Sequence, residues 1–147
     1  MRYEHVQYGY WGPGTFVFVL IMGVITLPEA FDSSTVGGWA LTASLVAIAA
    51  ITVLFSKLTV QIQDTELSAS FGRGWPRRVV DLSDVATAAS VRNTWIQGWG
   101  IRKISGGWMY NVWGLDAIEF TMKSGDLVRI GTNDVDNLLA SVKVLTG

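Results

Sequence analysis

The chain opens on two uncharged apolar stretches and then changes period. No Asp, Glu, Lys or Arg falls in residues 6–28, and the densest part is the apolar run 15–27. A second uncharged stretch covers residues 33–56, with its apolar part at 36–55. A membrane span needs about 20 apolar residues of helix, and hydrocarbon tolerates no unpaired backbone groups. The pattern therefore predicts a membrane α-helical hairpin. Its helices are expected at about 13–27 and 36–55, with Pro13 in the first turn and residues 28–34 as the link.

From Leu58 the pattern alternates, as in a half-buried strand. Strands are expected at 58–63, 66–71, 77–82, 85–92, 109–112, 117–122 and 127–130. Gly72-Arg-Gly-Trp-Pro76 breaks the second strand from the third, residues 93–107 read as irregular, and 123–126 form a hairpin turn with Gly125 free to take positive φ. Residues 131–134 open a terminal helix that Thr132 or Asn133 can cap. Val135, Leu138, Leu139, Val142 and Leu145 then share one helical face, a stripe suited to closing one end of a sheet. The chain thus divides into an N-terminal flank and hairpin, 1–57, and a mainly-β domain, 58–147.

Charge orients the hairpin. Glu29 and Asp32 sit in the link without a basic neighbour, whereas Arg2 and Lys57 lie on the other side. By the positive-inside rule both termini are expected in the cytoplasm, with the protein in the cell inner (cytoplasmic) membrane. Tyr8, Tyr10 and Trp11 read as an aromatic belt at headgroup level, and His5 as a polar flank. The run lacks a basic segment leading straight into its apolar core, so a retained helix is expected rather than a cleaved signal. Gly37, Gly38, Ala40, Ala43, Ser44, Ala47 and Ala50 give the second helix small-residue spacing for close packing, against the first helix or against another copy.

Little in the composition points to chemistry. The 147 residues carry a formal net charge of −1 and no cysteine, which argues against a general nucleic-acid binder and removes thiolate or disulfide chemistry. With one histidine, no nucleophile–base pair assembles, and no phosphate-binding glycine signature is present, so no enzyme, cofactor or small-molecule substrate is expected. Neither apolar stretch contains an ionisable residue, the usual mark of a transport pathway.

Two surfaces stand out. Arg73, Trp75, Arg77 and Arg78 place three guanidinium groups around an indole, a pattern suited to lipid phosphates at a headgroup layer; Arg102 and Lys103 extend it. The alternative is a solvated loop with Trp75 packed on the domain. Separately, residues 73–103 hold six basic and two acidic residues, whereas 116–136 hold five acidic and two basic. Opposite flanks of this kind would let copies associate side by side, with Trp75, Trp95, Trp99, Trp108 and Trp113 as anchors.

At Trp99-Gly-Ile-Arg102, Trp108-Met-Tyr-Asn-Val112 and Arg129-Ile-Gly-Thr-Asn-Asp134 the chain resembles bacterial pleckstrin-homology-like (PH-like) domains, in particular the membrane-anchored kind with two helices ahead of the domain. The resemblance implies a PH-like barrel capped by a C-terminal helix, with homo-oligomers among its members. The lipid-binding loop of the eukaryotic modules falls here at Gln63-Asp-Thr-Glu66, which is acidic, so a phosphoinositide cradle is not carried over. The combined expectation is an integral membrane scaffold or protein-interaction module that self-associates or holds a membrane-protein partner. The second reading is an anionic-lipid-sensing domain whose partners are membrane lipids.

Overall fold

The computed structural model describes residues 3–146, except for the side chain of Trp11. Arg2, used above for orientation, and the Trp11 ring of the expected belt lie outside the described residues. Helix α1 spans Trp11–Ser33 and α2 spans Thr35–Leu54. Both are long and apolar enough to cross a membrane. The seven-residue link expected at 28–34 is reduced to Ser34, because α1 continues through Pro28. A proline costs a helix one i→i−4 hydrogen bond, and this long apolar helix absorbs that loss. The break comes where Ser34 turns extended and its hydroxyl accepts the Gly37 amide at 3.3 Å, capping α2.

Glycines set the closeness of the two helices. A Cβ on Gly38 would lie 2.4 Å from the Phe31 ring, and one on Gly12 would lie 3.0 Å from Ser56. The Phe31 ring in turn meets Trp39 edge-on at 5.6 Å. The rest of the small-residue pattern does not face α1: Ala40, Ala43, Ser44, Ala47 and Ala50 are exposed.

Among the described residues nine strands follow in chain order as β1 (Tyr3–Tyr8), β2 (Lys57–Gln63), β3 (Glu66–Phe71), β4 (Arg77–Asp81), β5 (Val85–Arg92), β6 (Gly100–Ile104), β7 (Gly107–Asn111), β8 (Asp116–Met122) and β9 (Leu127–Gly131). The first sheet has the order β1-β2-β3-β4 and is antiparallel throughout. The second has the order β5-β8-β9-β7-β6, with β7 parallel to β9. Two elements differ from expectation. Residues 3–8, read as a headgroup flank, pair with residues 57–62 of β2, which otherwise leaves an open edge. Tyr-Glu-His-Val-Gln-Tyr carries too few apolar residues for its alternation to register. The segment read as irregular contributes β6, which forms a hairpin with β7 across Gly106 at φ 87°.

The core lies between the sheets. Leu58, Val60, Ile62, Leu67 and Phe71 face Ile118, Phe120, Val128 and Ile130, and Leu138 and Val142 of α3 (Val135–Thr146) complete it. Each such side chain contributes about 1.5–3 kcal/mol on burial. The stripe on α3 thus plugs one end of the sheets, packing on β5, β8 and the 3₁₀ turn Leu82–Asp84. Asp134, rather than Thr132 or Asn133, takes the position before the helix: its carbonyl accepts the Leu138 amide at 3.1 Å, and Thr132 Oγ1 accepts its amide at 3.0 Å. Two apolar helices, two sheets and a C-terminal helix are an order compatible with a PH-like fold. The sheets do not close into a barrel by strand pairing.

Candidate functional site

The hairpin joins the β domain without a linker. Tyr8 pairs with Lys57, Leu58 with Phe71 and Ser70 with Arg77, so all four strands of the first sheet have one end at the base of the helices. There the Gly9 amide donates to the Ser56 carbonyl at 2.7 Å and the Gly72 amide to the Lys57 carbonyl at 2.9 Å. The Phe55 ring lies 4.9 Å from that of Phe71. Gly72 has φ 52°, and a Cβ there would stand 3.0 Å from the Leu54 carbonyl. Positive φ and the close approach together require glycine, and they press the 72–76 loop against the end of α2.

That loop and β4 hold the main candidate residues. Arg73, Trp75, Arg77 and Arg78 are all exposed, Trp75 at 72%. Among the described residues none of the three arginine side chains has a hydrogen bond or ion pair. Strand alternation separates Arg77, opposite Ser70, from Arg78, opposite the buried Ala69.

Arg102 and Lys103 lie in the other sheet, on β6. Along β1 toward α1, the Tyr3 hydroxyl donates to Asp134 at 3.0 Å, Gln7 donates to the Trp113 carbonyl at 2.8 Å, and Tyr10 packs on Trp113, which stacks on Trp99 at 5.3 Å. These contacts pass the ends of β9, β7 and β6 in turn. The start of β6, next to Trp99, is thereby brought near Tyr10 at the entry to α1. The two cations point to opposite faces of β6. Arg102 Nε is held by the Trp99 carbonyl at 3.1 Å, while Lys103 sits across from the half-exposed Trp108. Arg73, Trp75, Arg77 and Arg78 lie at one end of the first sheet and Arg102 and Lys103 on β6 of the second, so the six candidates do not form one patch.

A further feature escaped the sequence reading. The 3₁₀ turn Trp95–Gln97 presents Trp95 and Ile96 at 74% and 80% exposure, held by a capping box between Thr94 and Gln97. The Thr94-x-x-Gln97 spacing was a legible signal. The approach to the turn is tied down at Asn93, whose amide donates to Leu115 at 2.6 Å and whose Oδ1 accepts from Arg129 at 2.8 Å; Arg129 also forms an ion pair with Glu119.

Two carboxylates of the expected acidic flank are paired with arginines within the chain. Asp116 pairs with Arg92 at 3.0 Å, Glu119 with Arg129, and Asp134 accepts the Tyr3 hydroxyl. His5 is not a headgroup flank: its Nε2 meets Asn133 and its Nδ1 lies 3.8 Å from Asp134, tethering β1 to the start of α3. Burial raises the Tyr3 pKa, and the hydrogen bond to Asp134 and that carboxylate's charge add to the shift. The Ser83 hydroxyl and amide lower that of Asp81. Of the anchoring tryptophans, Trp99 and Trp113 stack on each other, which leaves Trp75, Trp95 and Trp108 outward.

No protein-family model and no curated protein matches the chain.

Proposed function

We propose that this is an integral membrane protein of the bacterial cytoplasmic membrane, with both termini in the cytoplasm and a PH-like domain seated on the headgroup layer. It acts as a non-enzymatic interaction module that contacts anionic lipid through Arg73, Trp75, Arg77 and Arg78. One observation carries the reading. Three arginines without anionic partners, together with an exposed indole, stand where the two apolar helices end, and in a bilayer that level is the lipid phosphates.

The test uses the junction. Because the Gly9 amide touches the Ser56 carbonyl, residues 10–55 can be replaced by a short turn that keeps β1 on the sheet. The resulting domain is expected to co-sediment with anionic vesicles in a salt-sensitive way. At about 1 kcal/mol per basic residue, the triple change of Arg73, Arg77 and Arg78 to Ala weakens binding about a hundredfold. Binding that survives the triple change removes the assignment.

A second reading, a self-associating scaffold, is favoured by the exposed face of α2 at Ala40, Ala43, Ser44, Ala47 and Ala50. Detergent-corrected light scattering decides it, and a monomeric mass speaks against it.

A further inference from the structure

One face of the hairpin carries a continuous groove that ends at a cation. Its upper part, about 410 Å³, runs past Gly23 and Pro28 of α1 and Thr42 of α2. Its lower part, about 640 Å³, passes Phe16 and Leu54 and finishes at Gly72 and Arg73. Val46 and Ala49 line both parts, so the two hollows adjoin along one face of the hairpin. From Phe16 to Pro28 it covers about 18 Å at the α-helical rise. Half of a hydrocarbon core is about 15 Å. The walls are almost wholly apolar, and Arg73, free of any protein partner among the described residues, stands at the mouth.

An apolar channel one leaflet long with a guanidinium at its headgroup end has the shape and charge of a single anionic phospholipid. We infer that this groove binds one such lipid, with an acyl chain along Val46 and Ala49 and its phosphate on Arg73. The inference rests on the membrane reading above and adds a stoichiometric site to it. Arg73 supplies the preference for negative headgroups, and the small Ala49 and the bare backbone of Gly23 leave the room for the chain.

The test is native mass spectrometry of the full chain, delipidated in mild detergent and titrated with phosphatidylglycerol or phosphatidylcholine. One saturable phosphatidylglycerol adduct is expected, at least tenfold tighter than any phosphatidylcholine adduct. Arg73→Gln, an exposed change, is expected to abolish that preference. Ala49→Trp, which fills the channel, is expected to reduce both adducts. Equal binding of the two lipids, or a preference unchanged in Arg73→Gln, overturns the site. A carbonate wash separates the two levels. A chain that stays in the membrane pellet yet shows no preference sinks the lipid site alone, whereas release into the supernatant removes the membrane reading with it.

Discussion

Replacing Arg129 with Met should loosen the segment that presents Trp95 and Ile96. Arg129 on β9 lies directly across from Glu119 on β8. Its Nε donates to Glu119 at 3.0 Å, its Nη2 makes a second bond to the same carboxylate, and its Nη1 donates to Asn93 at 2.8 Å. The two charged side chains are 16% and 21% exposed, so solvent screens them only in part. Asn93 is buried and its Nδ2 has no partner among the described residues, so losing Arg129 leaves Asn93 with no side-chain hydrogen bond among them. Hydrogen bonds to charged groups contribute about 1.5–3 kcal/mol, and breaking a fully buried pair costs about 3–5 kcal/mol. Partial exposure places this change at about 2–3 kcal/mol. Hydrogen exchange on the full chain in detergent reads it directly: amides 93–99 and the β8–β9 ladder should exchange at least about thirtyfold faster, a factor that corresponds to 2 kcal/mol. Glu119→Gln should show much of the same effect, and the double variant less than the sum. Exchange at 93–99 within twofold of the parent, or strictly additive single effects, would refute the assigned role of the pair.

Three other outcomes follow from particular contacts. Gly107→Ala would put a Cβ 1.7 Å from the Leu127 carbonyl, so β7 and β9 must separate; a loss of about 3 kcal/mol or more is expected, read as a large fall in melting temperature in detergent. Gly38→Leu drives into the Phe31 ring and should cost about 1–3 kcal/mol from overpacking, with Phe31→Ala in the same chain restoring most of it. Tyr3 has a raised pKa, so its contribution is complete below the unfolded phenol value of about 10 and declines as pH rises toward the folded value. The difference in stability between the parent and Tyr3→Phe should therefore be flat up to about pH 10 and shrink above it; a difference that grows there contradicts the placement of the phenol.

The hairpin was legible because its signal is compositional: a long uncharged apolar stretch needs no partner to identify it. Its length was misjudged at Pro28, where proline ends a helix in water more readily than in an apolar span. Strands β2, β3, β8 and β9 and the stripe on α3 were legible for a related reason, since local alternation or helical spacing already names the buried face. The sequence by itself therefore determined the kinds of element, their order and most of the core. What the tertiary structure decided was where polar and marginal segments go. Tyr3–Tyr8 becomes a strand only because β2 offers an edge, and β6 only because β7 lies against it. Arg73 meets the helix base through Gly72, while Arg102 and Lys103 sit on β6 of the other sheet. In the acidic flank, plain in the sequence as a run of carboxylates, Asp116 and Glu119 are paired with Arg92 and Arg129. Pairing across a sheet and neutralisation by distant residues depend on which chain segments meet in space, and no local pattern of hydrophobic and polar positions encodes that.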